Sequence, residues 1–108
     1  MVSFQDFKQI ELKVAKIQKV EDIAGKDKLY RLEIAIGEEK PRTLVAGLKP
    51  FYSKEQLLGK QIVVVANLDP RPLAGIVSQG MLLATQNEKG AYSLVTVEEP
   101  VKPGSMVE

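Results

Sequence analysis

The segment YRLEIAI sets Tyr30, Leu32, Ile34 and Ile36 at every second position, with Arg31, Glu33 and Ala35 between them. A strict two-residue period places the apolar set on one side only in an extended strand, so this chain must build a sheet with one face covered. The neighbouring runs extend the pattern. In ELKVAKIQKV, Leu12 and Val14 alternate with Lys13, and the phase then slips at Ala15-Lys16 before Ile17. The β-branched content and the single-residue slip predict a long strand with a bulge there. TLVAGL predicts a third strand, QIVVVANL a fourth buried on both faces, and GMLLAT a fifth. AYSLVTVE alternates again and extends the sheet, and VKPGSMVE ends the chain on a short apolar tail.

The period changes once between strands. Ser53 and Gln56 stand at capping-box spacing, Leu57 and Leu58 follow, and Gly59 sits where a helix would stop, so FYSKEQLLG reads as one short helix. At the start, SFQDFK predicts a helical turn with Ser3 as N-cap, and Phe4 and Phe7 are expected to plug one end of the core. EDIAGKDK, Glu21 to Lys28, reads as a loop, and GEEKPR as a turn.

Three strands, a short helix, two strands and terminal additions make an all-β chain in the order of the OB-fold, a five-stranded Greek-key barrel with a helix between strands three and four. A small β-sandwich is the alternative. One domain, 1–108, accommodates the whole. Such barrels bind oligonucleotides with strands two and three and the loops joining strands one to two and four to five. The second of these loops, Asp69–Gln79, lies inside NLDPRPLAGIVSQGMLLAT and exceeds the usual connection of about 4–6 residues, as functional loops do.

Composition narrows the chemistry. The chain contains neither Cys nor His. Thiolate and imidazole metal sites, the Ser-His-Asp triad and a His general base are therefore excluded, no cofactor is expected, and an enzyme is the weakest reading. Fifteen basic against fourteen acidic residues leave a net charge of +1, so polyanion binding would require segregated charge. No run is long and apolar enough for a membrane helix and no signal peptide is visible, so the cytoplasm is the expected compartment and no membrane partner is expected.

Within the long loop, Arg71 stands between Pro70 and Pro72, whose rings stiffen the backbone. It reads either as a guanidinium set for a phosphate or as a solvated surface residue. Ser78, beside Gln79 and Gly80, can approach a sugar-phosphate or cap a turn. Met81 fills a core gap or offers an apolar surface to a base or ribose at the barrel mouth. Lys26, Lys28 and Arg31, with Lys13, Lys16 and Lys19, form a basic strip that Glu21, Asp22 and Asp27 weaken, or else an ordinary mixed-charge surface. Aromatics are too few for a stacking ladder, which favours reading the shape and backbone of a folded RNA.

The run VVVANLDPRPLAGIVSQGMLLAT resembles the tRNA-binding OB-domain found at the C-terminus of many methionyl-tRNA synthetases, as a separate beta subunit, and as stand-alone tRNA-binding proteins. IELKVAKI, DKLYRLEI, RTLVAGL, LLGKQIVVVANL and KPGSMV extend the resemblance over nearly the whole chain. It implies an OB barrel that binds the outer corner of tRNA without sequence specificity, homodimerises through its added terminal elements, and assists a methionyl-tRNA synthetase catalytic chain that its own length leaves no room to contain. By motif position it implies contacts from Asn67, Arg71, Ser78 and Met81, with Lys28 and Arg31. Asp69, Pro72 and Ala74 stand where relatives carry basic residues, and the usual His-Pro of the first loop is missing; both departures imply weaker binding. A chaperone-like or protein-interaction module on the same barrel is the alternative function.

Overall fold

A computed structural model describes all of residues 1–108. A short helix, α1 (Phe4–Lys8), precedes three strands: β1 (Leu12–Ile23), β2 (Lys26–Ala35) and β3 (Arg42–Ala46). Helix α2 (Lys54–Leu57) leads into β4 (Gln61–Val65). The remainder is β5 (Arg71–Leu73), β6 (Ile76–Ser78), β7 (Met81–Leu82), β8 (Ala84–Gln86), β9 (Tyr92–Leu94) and β10 (Met106–Val107). The main sheet runs β3-β2-β1-β4-β7, antiparallel throughout, and β10 joins the free edge of β1 beside β2.

The two ends of this sheet meet, but through an improvised seam. Gln79 donates its backbone N–H to the Thr43 carbonyl at 2.8 Å, and its Oε1 accepts the Thr43 N–H at 2.9 Å. One step along, the Val45 N–H donates to Ser78 Oγ at 3.1 Å. Side chains thus complete what β7, only two residues long, is too short to complete by a ladder.

The barrel is filled as the alternation requires. Tyr30, Leu32, Ile34 and Ile36 are buried with Ala15, Ile17, Leu44, Ile62 and Val64. Leu57 enters the same cluster from α2, whose N-terminus carries the expected capping box between Ser53 and Gln56. Ile62 through Val65 are all buried, as a two-sided strand demands.

Several expectations need correction. Residues Leu12 to Lys16 pair with β4 without a break, so there is no bulge at Ala15-Lys16. The apparent slip arises because Val14 and Ala15 are both buried: Ala15 joins the core cluster and Val14 lies outside it, its backbone held by the C-terminal tail through Val14 N–H to the Ser105 carbonyl and Gly104 N–H to the Val14 carbonyl. The register shift lies further on, between Ile17 and Lys19. That tail comes so close that a Cβ on Gly104 (φ +93°) would stand 2.7 Å from the Ile36 carbonyl oxygen. Glu21–Lys28 is not an open loop but a hairpin turning at Ala24-Gly25, with both arms in strands. Phe4 and Phe7 do not plug the core: α1 buries none of its residues, and they remain 73% and 40% exposed. The predicted fifth strand breaks at Leu83 into β7, which pairs with β4, and β8, which pairs only with β9.

Candidate nucleic-acid interface

The long connection after β4 folds on itself. β5 and β6 form a hairpin whose turn residues, Ala74 (φ 52°) and Gly75 (φ 78°), both lie in the left-handed region, as a two-residue primed turn requires. Arg71 pairs with Ser78 at the foot of this hairpin, next to the barrel seam.

Both feet are fastened to the barrel. Arg42, 21% exposed, forms a two-pronged ion pair with Glu38 (Nε–Oε1 2.8 Å, Nη2–Oε2 2.7 Å). Its Nη1 donates to the carbonyls of Ala66 at 2.6 Å and Gln79 at 3.3 Å, the residues on either side of the 67–78 excursion. The Glu38 carboxylate raises the Arg42 pKa, and the guanidinium holds the Glu38 carboxyl below its ordinary value, burial opposing both effects. Nothing in the sequence reading singled out Arg42. The four-residue step from Glu38 was visible, but its carbonyl partners are 24 and 37 residues away.

Between β3, the hairpin and β7 lies an open, mainly apolar cleft of about 410 Å³. Arg71, Ser78 and Met81 all line it, so three of the six candidate residues converge. Their states differ. Arg71 is exposed and makes no ion pair within the chain. Met81 is 48% exposed and leaves apolar surface at the cleft. Ser78 is only 4% exposed; its hydroxyl accepts from Val45 N–H and donates to the Gly80 carbonyl at 3.2 Å, which is the seam role.

The other three lie outside the cleft. Asn67 uses its whole amide locally: Oδ1 accepts the Glu11 N–H at 2.8 Å, and Nδ2 donates to the Gln9 carbonyl at 2.6 Å, tying the segment after α1 to the end of β4. Arg31 is cross-strand from Glu21 and paired with it at 3.3 Å, and Lys19 reaches the same carboxylate at 3.8 Å. Lys28 is exposed and without an ion pair, and its carbonyl accepts the Lys49 N–H at 3.4 Å, beside the Gly47-Leu48 wall of the cleft. Asp22 binds two cations, Lys49 and Lys54, each at 2.9 Å. The hydrogen bonds from Lys54 and then Lys49 keep its pKa low, and Asp22 raises that of Lys54. Of the expected basic strip, Lys26 and Lys28 stay unpaired while Lys19 and Arg31 are neutralised.

At the far lip, Tyr92 also lines the cleft and stacks edge-on with Phe51, ring centroids 5.5 Å apart at 72°. Strand order, the helix between β3 and β4, and a loop-built mouth define an oligonucleotide-binding barrel.

A family model described as a putative tRNA binding domain matches residues 12–106, and the chain belongs to that family. It is 44% identical over 106 residues to the methionine–tRNA ligase of Caldanaerobacter subterraneus subsp. tengcongensis, covering 98% of this chain but 16% of that relative. The MetRS-related protein from Pyrococcus horikoshii superposes with a TM-score of 0.91 at 33% identity, covering 100% of this chain and 98% of that one. The chaperone CsaA from Bacillus anthracis gives 0.89 at 29% identity, with 100% and 99% covered. The fold is therefore the expected OB-type barrel, and the relationship to methionyl-tRNA synthetase extends over nearly the whole chain.

Proposed function

We propose that this domain binds the outer corner of tRNA without reading its sequence and serves a methionyl-tRNA synthetase as a non-catalytic accessory in the cytoplasm. The observation that carries the reading is Arg71. Its guanidinium is unspent, sits at the base of a hairpin anchored by Arg42, and borders an apolar cleft in a chain of the tRNA-binding family. A pre-positioned guanidinium loses little entropy on meeting a phosphate, and its fork matches the phosphate oxygens. Met81 packs at the rim and Lys28 adds charge from the neighbouring wall. Asn67 and Ser78 support the surface by holding the loop in place, and Arg31 joins only by exchanging Glu21 for a phosphate.

With few unpaired cations beside the cleft, one barrel binds weakly, and pairing two copies multiplies the contact. Phe4 and Phe7 on α1 and Met106 on β10 are exposed apolar side chains that a homodimer formed through the terminal elements would cover. A second reading, capture of unfolded peptide, draws on the apolar lining of the cleft and on the likeness to a protein titled a chaperone.

Binding of labelled tRNA and of a labelled unfolded polypeptide, measured by fluorescence anisotropy at low salt, separates the two readings. The tRNA reading expects micromolar affinity for tRNA, lost on Arg71→Ala, and none for the polypeptide. The reverse pattern would establish the second reading.

A further inference from the structure

The cleft holds two charged groups that a purely apolar ligand would waste. Asp69 and Arg71, two residues apart, both line it, and no cationic nitrogen lies within ion-pair distance of Asp69, nor any carboxylate within reach of Arg71. Both charges are exposed and open to an external partner. The rest of the lining is mainly apolar and includes Leu44, Leu48, Met81 and the Tyr92 ring, which packs edge-on with Phe51. At about 410 Å³ the space falls within the ~300–1,000 Å³ of small-ligand sites.

We infer that the cleft receives one unstacked guanine base, with Asp69 accepting from its Watson–Crick edge and Arg71 holding an adjoining phosphate. This rests on the RNA-binding reading and refines it at one position: the phosphate contacts stay independent of sequence, and Asp69 adds a preference for guanine at the single base that enters the cleft. The chemistry selects the base. Guanine presents two adjacent donors, N1–H and the N2 amino group, which match the two oxygens of one carboxylate. Adenine and cytosine set an acceptor beside their amino group, and uracil flanks its single N–H with two carbonyls. Splayed bases are read on this edge and held between apolar or aromatic side chains. The inference also gives Asp69 a use, although a carboxylate beside a phosphate-binding guanidinium otherwise only repels RNA.

That last point makes the test one of sign. On a surface that merely attracts phosphate, Asp69→Ala and Asp69→Asn remove a negative charge and tighten tRNA binding. On a guanine-reading surface both weaken it, Asp69→Ala by about tenfold, the worth of a good bidentate contact. In parallel, the full chain is titrated with the 5′-monophosphates of guanosine, inosine and uridine while the Met81 methyl and Tyr92 ring signals are followed by NMR. The expected result is that guanosine monophosphate moves both signals at about five- to tenfold lower concentration than inosine monophosphate, which lacks the N2 amino group. Asp69→Ala abolishes that preference. Equal response to all three nucleotides overturns the proposal, as does tighter or unchanged tRNA binding by the Asp69 variants. So does movement of these signals by a Phe- and Leu-rich peptide and not by guanosine monophosphate. Failure of tRNA to bind the wild-type chain, with guanosine monophosphate still selected in the cleft, refutes the tRNA reading and leaves the guanine site standing.

Discussion

Replacing Arg42 by Met keeps the aliphatic stem and removes the guanidinium hydrogen bonds that tie the two feet of the 67–78 excursion together, leaving the Gln79–Thr43 and Asn67 bonds in place. The cost can be assembled from the structure. Ala66 is buried, and leaving its carbonyl without a donor costs about 1–3 kcal/mol. Gln79 is exposed, so its carbonyl exchanges the guanidinium for water at little cost. The pair with Glu38 is partly solvated on both sides, 21% and 38% exposed, and contributes no more than about 1 kcal/mol. The sum is about 1–4 kcal/mol, with its centre near 2.5 kcal/mol. At about 4–8 °C per kcal/mol for a domain near this size, the melting temperature should fall by about 10 °C or more. Far-ultraviolet circular dichroism measures it. Hydrogen exchange adds the local consequence: the Gln79 amide, bonded to Thr43 across the seam, should lose protection more than amides of the β1–β2 ladder. Arg42→Lys, with a single ammonium for four acceptor contacts, should fall between. A variant with a melt within a degree or two of wild type and unchanged Gln79 exchange would refute the anchoring role.

Three further outcomes follow from the same geometry. Ser78→Ala strands the Val45 N–H inside the seam and should cost about 1–3 kcal/mol in urea denaturation; a change below about 0.5 kcal/mol would mean the seam does not depend on that hydroxyl. Gly104→Ala would drive a Cβ against the Ile36 carbonyl at a positive φ, and should destabilise by more than about 1 kcal/mol, read by the same denaturation. Glu38 and Asp22 titrate below their ordinary values because of Arg42 and of Lys54 with Lys49, respectively. Groups depressed in the folded state stabilise it above the unfolded carboxylate range, and that contribution is lost as pH falls through their folded values. Urea midpoints should therefore hold steady from pH 7 to about 5 and decline below about 4, with a shallower decline in Arg42→Met.

The parts of this fold that were legible in the sequence are those fixed by local period. YRLEIAI could only be a half-buried strand, QIVVVANL only a doubly covered one, and Ser53 with Gln56 only a helix start. What escaped were effects of distant segments. The Val14-Ala15 pair looked like a phase slip because both residues are buried, and the 103–107 tail that binds the Val14 backbone comes from the other end of the chain. Phe4 and Phe7 looked like core because their own helix says nothing of what it faces. For the site, motif position brought Arg71, Ser78 and Met81 to one cleft but could not separate the free guanidinium of Arg71 from the committed hydroxyl of Ser78. Asn67 and Arg31 are likewise engaged by partners 56–58 and 10 residues away. Arg42 stayed hidden because carbonyl acceptors leave no trace in side-chain identity.

The most direct test of the account is the salt dependence of tRNA affinity for wild type and Arg71→Ala. If the unpaired cations at the mouth bind phosphate, a plot of log affinity against log salt falls with a slope of about −2 for two contacts such as Arg71 and Lys28, and the variant loses about one from that slope. A flat wild-type plot, or an identical slope in the variant, would contradict it.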